Sequence, residues 1–169
     1  MSPAVTVAVE PPRQPEIERL LAASSEYSFS LGYPPEACFL LDVSQLEASG
    51  VRLFVARDRA GAALGIAALV VGGHADDEHA PDFAGRGELK RMFVDERARG
   101  LGVAGRLLDA IEADASAQGL AELVLETGTL HRPAQALYAK HGYEVVPLFG
   151  PYRGERYSVC MAKRLGGAA

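Results

Sequence analysis

Hydrophobic and polar residues alternate along the chain with two different periods, which predict a series of strands and helices. Short apolar or alternating runs bounded by turn residues predict strands at Thr6 to Val9, Val51 to Arg57, Leu64 to Val71, Glu88 to Val94, Glu122 to Glu126, Tyr143 to Val146 and Tyr157 to Lys163. Apolar positions three and four residues apart predict helices at Pro15 to Leu21, Val43 to Ala48, Gly102 to Gln118 and Pro133 to His141. Their order predicts an α/β (α+β mixed) fold, in which helices cover a mixed sheet.

Composition narrows the classes of protein that the chain can represent. With 169 residues, of which 49% are hydrophobic, we expect a single domain over residues 1–169. The sequence has no apolar run of membrane-spanning length and no leader-like start. Cys38 and Cys160 are isolated, which favours reduced thiols and a cytoplasmic location. A net charge of -5 argues against a nucleic-acid partner.

Two connecting segments interrupt this pattern. Residues 24–35 mix aromatic residues with Ser, Gly and Pro, which predicts a loop or broken helix. Its aromatic residues fit either a lid beside a cleft or a small satellite core under the loop. Residues 72–87 predict a polar, flexible connection that contains several acidic and histidine residues. Their spacing matches no standard set of metal ligands, so we expect no metal.

A stretch rich in glycine and arginine, RARGLGVAGRLL, follows the predicted strand that ends at Val94. Each glycine inside a helix costs about 1 kcal/mol relative to alanine, so three glycines at a helix start need an explanation. The first turn of a helix has unpaired N–H groups and a partial positive charge, and a small side chain lets an anion reach them. The stretch therefore predicts a phosphorylated ligand.

The same glycines also fit a dinucleotide-binding pattern. Gly100, Gly102 and Gly105 have the spacing GxGxxG. In a Rossmann unit the strand runs almost directly into the first glycine, whereas five residues, Asp95 to Arg99, intervene here. Too little chain follows for the usual two halves of that fold, and a P-loop is disfavoured because no GK[ST] is present.

In another register, Arg99 to Ala104 fits [RQ]xxGx[GA] and is followed by paired leucines; Arg97 offers a second register of the same motif. Further along, ETG at Glu126 to Gly128 precedes AQALYAKHGY. Together these motifs resemble the GNAT superfamily of N-acetyltransferases, and the resemblance covers about residues 51–165. It implies a GNAT-like fold with a twisted mixed sheet of about six to seven strands and about four helices. Residues 88–141 would form the acetyl-CoA-binding core, and residues 1–50 a variable acceptor-side region.

The resemblance also implies a set of cofactor-binding residues, with acetyl-CoA as the co-substrate. Main-chain groups of the strand would pair with the pantetheine arm, and the glycine loop would bind the pyrophosphate. The residues assigned to the cofactor are Met92, Phe93, Val94, Arg97, Arg99, Gly100, Leu101, Gly102, Val103, Ala104, Gly105 and His131. His131 stands where the superfamily often has asparagine. Arg97, Arg99 or Arg106 would lie near the extra phosphate of the nucleotide.

Two catalytic residues follow from the resemblance. Glu88 lies eleven positions before Arg99, where some members of the superfamily have a general base. The alternative is that Glu88 meets solvent or pairs with Lys90 or Arg91. Tyr138 is the expected acid that protonates the departing thiolate, and the alternative is a tyrosine packed on the sheet. Strict alternation predicts that Glu88, Lys90, Met92 and Val94 share one face of the strand.

We therefore expect an acetyl-CoA-dependent N-acetyltransferase that acts on a primary amine of a small molecule or peptide, by direct attack in a ternary complex. The alternative is a non-catalytic acyl-CoA-binding sensor with the same fold. Candidate acceptor residues are Tyr27, Tyr33, Tyr152 and Arg153, the last of which would suit a carboxylate on the acceptor. Neither a membrane nor a nucleic acid is an expected partner, and a homodimer stays open.

Overall fold

A seven-stranded mixed sheet organises the chain in a computed structural model that describes residues 4–72 and 78–166. The strands are β1 (Thr6–Val9), β2 (Val51–Arg57), β3 (Ala63–Val71), β4 (Arg86–Val94), β5 (Glu122–Gly128), β6 (Glu144–Val146) and β7 (Ser158–Arg164). They are ordered β1-β2-β3-β4-β5-β7-β6. Only the β4–β5 pair is parallel among the pairs of these strands. The predicted mixed fold is confirmed.

Four α-helices cover the sheet: α1 (Pro15–Ser30), α2 (Val43–Leu46), α3 (Val103–Ala117) and α4 (Arg132–Lys140). Helix α3 buries its apolar stripe against one face of the sheet, where Leu107, Leu108 and Ile111 are fully enclosed. Helix α1 packs Ile17 and Leu20 against the other face. The two faces have separate apolar cores because residues along each strand alternate between them. No helix among the described residues is long and apolar enough to cross a membrane.

The prediction of a loop or broken helix from Ser24 is wrong as far as Ser30, because α1 continues without interruption to that residue. Its buried face continues through Ser24, and Arg91 of β4 donates a hydrogen bond to the Leu21 carbonyl oxygen. Tertiary contacts therefore outweigh the weak helix propensity of serine and the aromatic residues. The chain leaves the helix only after Ser30 and then buries Tyr33.

The predicted polar connection between β3 and β4 is anchored within its described part. A 3-10 turn at Ala80–Phe83 places Phe83 in an aromatic cluster with Phe149, and the Phe83 side chain is fully buried. Residues 73–77 lie outside the described residues, and so do His74, Asp76 and Asp77 of the acidic stretch. Hydrophobic burial by one aromatic residue fixes the end of this connection close to β4.

Strands β4 and β5 pair only at their beginnings, and this sets the position of the site. Their parallel register runs from Arg86 and Glu122 to Leu89 and Leu125. Beyond that point β4 continues to Val94 while paired with β3 alone. The edge of β4 that faces β5 is therefore unpaired over its last five residues, which leaves an opening in the sheet.

A β-bulge lies at the same point. The β3–β4 register shifts between Ile66 and Ala68, and Arg91 adopts a left-handed φ of 55°. The bulge breaks the alternation along β4, so the predicted face sharing is wrong after Lys90. Arg91 contacts α1 on the same face as Lys90, whereas Met92 packs with the α3 core on the opposite face.

Candidate active site

A groove of about 890 Å³ opens where β4 separates from β5, between the start of α3 and helix α4. The side of α3 contributes Gly102, Val103, Ala104 and Gly105, and β4 contributes Met92, Phe93 and Val94. Gly102 is the N-cap residue of α3 and has no side chain to accept a hydrogen bond. The N–H groups of the first turn therefore point outward without a capping acceptor. Such an arrangement, at the positive end of a 15-residue helix, has the geometry and polarity that suit an anion.

The glycines of the loop serve two different purposes. Gly100 and Gly102 have φ of 81° and 77°, and a Cβ added at either would meet nothing within 4 Å. Backbone conformation, and not lack of space, requires glycine there. Gly105 is different, because an added Cβ would lie 3.1 Å from Cε1 of His141 on α4. This third glycine lets α3 and α4 approach each other along the groove.

The three candidate arginines have different surroundings. Arg99 lines the groove and lies over the rings of Tyr27 and Phe93, at 5.6 and 5.9 Å from their centroids. Arg97 makes a forked pair with the carboxylate of Asp95 and is largely exposed. Arg106 donates to a backbone oxygen near the start of β1. Only Arg99 among the three lines the groove, and Leu101 does not line it either.

Two groove residues with ionisable side chains are not among those that the sequence predicts for the site. Lys140 and His141, at the end of α4, face the start of α3 across the groove. Their positions in the AKHGY stretch carry no charge pattern that marks them as ligand-binding. Proximity to the glycine loop is the signal, and it exists only after the chain folds.

A second, smaller cavity of about 130 Å³ adjoins the groove on the α1 face of β4. The groove and the cavity share Met92, His131 and Tyr138 in their linings, so the two adjoin at the opening between β4 and β5. The charged residues that line the cavity are Lys90, Arg91 and Glu126. The structure thus places a groove at the N-terminal end of α3 beside a cavity walled in part by buried charged side chains.

Tyr138 lies at the junction of the groove and the cavity. It belongs to α4 and is only 6% exposed. Its hydroxyl makes no hydrogen bond to any described residue, and its ring touches that of Tyr143 edge to face. Burial raises the pKa of the Tyr138 phenol well above its usual value, so the phenol keeps its proton throughout the physiological range.

Glu126 is the carboxylate that lines the cavity, and in the sequence it stands out only as part of the ETG motif. It lies on β5, on the same face of the sheet as Val124 of the aromatic core. Burial raises the pKa of Glu126 to about 7, and the nearby positive charge of Lys90 offsets part of that effect. A carboxylate with this pKa accepts a proton readily near neutral pH.

Glu88 lies deeper in the sheet than Glu126. It is 1% exposed, does not line either cavity among the described residues, and accepts hydrogen bonds from the Tyr152 hydroxyl at 3.2 Å. The Lys90 ammonium lies 3.3 Å from the same carboxylate and donates to the Tyr152 oxygen at 2.8 Å. The three side chains therefore form a buried polar cluster, in which Lys90 lines the cavity and Glu88 and Tyr152 lie behind it.

His131 connects the cavity to two candidate acceptor residues. Its ring stacks on Tyr33 at 5.3 Å and meets Tyr27 edge to face. The Tyr33 oxygen lies 3.0 Å from Nδ1 of His131 and accepts a hydrogen bond from the Leu130 N–H. Burial lowers the pKa of His131, so the imidazole is neutral. Tyr33 lines the cavity and Tyr27 lines the groove.

Arg153 lines neither the groove nor the cavity. Its guanidinium pairs with the Asp82 carboxylate at 2.8 Å and is mostly exposed. Asp82 also accepts a hydrogen bond from the Gly150 N–H, so this pair joins two turns at the edge of the sheet. No group of three or more His, Cys, Asp or Glu side chains within residues 4–72 and 78–166 could hold a metal ion.

Comparison with known proteins assigns the family. The model of the acetyltransferase (GNAT) domain family matches residues 49–145, more than half of the chain. The IAA acetyltransferase of Azospirillum brasilense is 40% identical over 163 residues, which cover 96% of this chain and 99% of that protein. The chain belongs to the GNAT family of acetyltransferases. It is an N-acetyltransferase, as the resemblance of its motifs predicted.

Solved structures agree with the GNAT fold. A Klebsiella pneumoniae protein assigned as an acyl-CoA N-acyltransferase aligns with a TM-score of 0.78 at 31% identity, covering 96% of this chain and 98% of its own. The PaiA N-acetyltransferase of Thermoplasma acidophilum, solved in complex with coenzyme A, has a TM-score of 0.71 at 12% identity and covers 95% of this chain and 99% of its own. The second likeness concerns the fold alone.

Proposed function

We propose that the protein transfers the acetyl group of acetyl-CoA to the primary amine of a small molecule or peptide, by direct attack while both substrates are bound. The observation that carries this proposal is the junction at Tyr138 between a groove suited to an extended anionic cofactor and a cavity that holds a carboxylate with a pKa of about 7. The acetyltransferase name of the 40% identical relative supports the same reaction class.

In the proposed complex the diphosphate of acetyl-CoA binds the N–H groups at the start of α3. The pantetheine arm then runs along the unpaired edge of β4, where main-chain groups of Met92 to Val94 replace a missing neighbouring strand. Arg99 lies closest to the nucleotide among the candidate arginines, and the Lys140 ammonium adds positive charge from the opposite wall. The thioester comes to the junction at Tyr138.

The chemistry requires one proton acceptor and one proton donor. We assign the acceptor role to Glu126, which takes a proton from the ammonium group of the acceptor and leaves a neutral amine. The amine nitrogen then attacks the thioester carbonyl carbon, the carbon–sulfur bond breaks, and Tyr138 donates a proton to the departing thiolate. The nitrogen loses its second proton as the amide forms, and this proton restores the Tyr138 phenol, while Glu126 releases its own proton to solvent. The products are an amide and the free thiol of CoA. Holding the thioester and the amine side by side at this junction lowers the activation barrier further through proximity.

The role of Glu88 as the base stays a prediction, and it competes with Glu126. Glu88 lies within hydrogen-bonding distance of Lys90 and Tyr152, so in our proposal it holds the Lys90 ammonium in place at the wall of the cavity. A water molecule bridging from Glu88 to the acceptor is the route by which it would act instead.

The experiment that tests this proposal measures CoA release with a panel of amines for Glu126→Gln and Glu88→Gln. We expect Glu126→Gln to lower kcat by about 100-fold with an unchanged Kd for acetyl-CoA, since general-base catalysis contributes about that much. The wild-type kcat/KM should rise with pH through about 7, and Glu126→Gln should lose that rise. A retained pH profile in Glu126→Gln that is lost in Glu88→Gln would transfer the role to Glu88. Acetyl-CoA binding without turnover of any amine would reject acetyl transfer.

A further inference from the structure

Arg91 combines three unusual features at one residue of β4. Among the described residues it alone has a left-handed φ without being glycine. Its side chain is buried, with 8% exposure. It also lines the small cavity on the side of α1. Strained backbone and buried charge both cost free energy, and they persist at positions where function requires them.

The hydrogen bonds of the Arg91 guanidinium are incomplete. Nη2 donates to the Leu21 carbonyl oxygen at 2.8 Å and to the Ser25 hydroxyl at 3.3 Å. Nε and Nη1 are buried and have no acceptor among the described residues. No carboxylate pairs with this cation within the part of the chain that the structure describes, and burial lowers its pKa only to about 10. Arg91 is therefore a buried, uncompensated positive charge at neutral pH.

The other charges of the cavity do not compensate Arg91. Lys90 is neutralised by Glu88, whose carboxylate lies 3.3 Å from its ammonium group. Glu126 lies on the β5 wall of the cavity and forms no ion pair with Arg91 within the described part of the chain. The cavity thus has, on its α1 side, a guanidinium with two nitrogens that lack an acceptor, and on its β5 side a proton acceptor.

We propose that Arg91 binds a carboxylate of the acceptor, so that the amines acetylated by this protein are amino acids or other small amino-carboxylates. This inference rests on the acetyl transfer proposed above. A carboxylate is planar, and one of its oxygens can accept from the free Nη1 while the other shares Nη2 on the same edge of the guanidinium. The cavity of about 130 Å³ has room for about four water molecules, which suits a small carboxylate-bearing acceptor.

The bound orientation follows from the two walls of the cavity. A carboxylate held by Arg91 near α1 directs the amine of the same molecule towards Glu126 on β5. The thioester, held at the junction beside Tyr138, then lies next to that amine. Arg91 thereby replaces Arg153 as the carboxylate-binding residue, since Arg153 is already paired with Asp82.

The test compares acceptors that differ only in the carboxylate. Each amino acid of the panel is assayed beside its carboxamide and beside the amine that remains when the carboxyl group is removed. We expect kcat/KM to be at least 10-fold higher for the acids, and Arg91→Gln to abolish that preference by raising the KM of the acids alone. Arg91→Lys should restore part of it. Arg86→Gln is the matched control, because Arg86 lies on the same strand, pairs with Glu122 and does not line the cavity. We expect Arg86→Gln to prefer acids over carboxamides as strongly as the wild type does.

Further readouts separate this inference from acetyl transfer itself. Calorimetry with CoA-loaded protein compares the Kd of an acid with the Kd of its carboxamide in the wild type and in Arg91→Lys, which retains the charge if Arg91→Gln does not fold. Equal acetylation of acids and carboxamides would overturn the role of Arg91 and leave acetyl transfer intact. Absence of turnover, with acids still bound through Arg91, would reject acetyl transfer and retain the carboxylate site. Equal binding of acid and carboxamide would overturn the carboxylate site.

Discussion

The groove at the start of α3 and the cavity beneath α1 lie on either side of one opening in the sheet, but they are built in different ways. The groove presents backbone N–H groups and a helix dipole, contributed largely by one continuous stretch, residues 98–105. The cavity presents buried charged side chains from β4 and β5, enclosed by α1 and residues 37–40. Backbone recognition suits a cofactor with a fixed diphosphate, whereas side-chain recognition allows the acceptor to differ between relatives.

The largest expected effect concerns the groove. Gly102→Glu should raise the Kd for acetyl-CoA by at least about 1,000-fold, because a carboxylate at the start of α3 would repel the diphosphate and occupy its space. Isothermal titration calorimetry measures this. Gly61→Glu is the control, since Gly61 also has a left-handed φ, 86°, and open space around it, in the β2–β3 turn. Both variants carry the same backbone strain, so an equal loss of affinity in both would contradict a specific role for Gly102.

The next effect concerns the cavity and is one of stability. The folded pKa of Glu126, about 7, lies above its ordinary value of 4.5, so the folded protein binds this proton more tightly than the unfolded chain. The loss of folding free energy that comes from ionising Glu126 is absent below pH 4.5, grows as the pH rises, and reaches about 3 kcal/mol above pH 7. Urea unfolding should show Glu126→Gln to be more stable than the wild type at pH 8, with the difference disappearing near pH 4. A constant difference across that range would contradict the raised pKa.

A third prediction concerns the junction between the two regions. Tyr138→Phe should lower kcat by about 100-fold and leave the Kd for acetyl-CoA unchanged, because the variant loses only the proton donor. Steady-state kinetics and calorimetry measure the two quantities. Tyr143→Phe is the control, since Tyr143 touches the Tyr138 ring but donates its hydroxyl proton to Glu112, away from both cavities. Unchanged turnover in Tyr138→Phe would remove this residue from the chemistry.

The smallest expected effect distinguishes two neighbouring arginines of the loop. Arg99→Ala should raise the Kd for acetyl-CoA about 10-fold, since one charge-assisted hydrogen bond is worth about 1.5–3 kcal/mol. Arg97→Ala should change it little, because the Arg97 guanidinium is already paired with Asp95 and lies outside the groove. The salt dependence of both affinities provides a second readout. The reverse order of effects would favour the Arg97 register of the motif.

The same contrast explains how much could be predicted from the sequence. The wall of the groove at the start of α3 is made of contiguous residues, which the motif from Arg99 to Gly105 covers, whereas its other walls come from α1, β4 and α4. The cavity depends on residues far apart in sequence: Arg91 reaches α1 through a bulge that no local pattern announces, and Glu126 faces it across the opening. Burial, which gives Glu126 its raised pKa, is a property of the folded chain alone.

Helix α1 shows the same limit at the level of secondary structure. Its last two turns consist of serine and aromatic residues with weak helix propensity, and a buried contact with β4 stabilises them. Glu88 was singled out by its spacing from the glycine loop, and that spacing places it on β4 without specifying its depth. Its partner Lys90 is two residues away on the same strand and was among the partners expected from the sequence, whereas its partner Tyr152 comes from a distant part of the chain.

The central claim is that the start of α3 binds the diphosphate of acetyl-CoA and that the opening between β4 and β5 leads its thioester to the acceptor cavity. A crystal structure of the protein with acetyl-CoA tests this most directly. We predict diphosphate oxygens within hydrogen-bonding distance of the N–H groups of residues 102–105, and the thioester sulfur beside the Tyr138 hydroxyl. A nucleotide bound elsewhere, with the start of α3 facing only solvent, would contradict it.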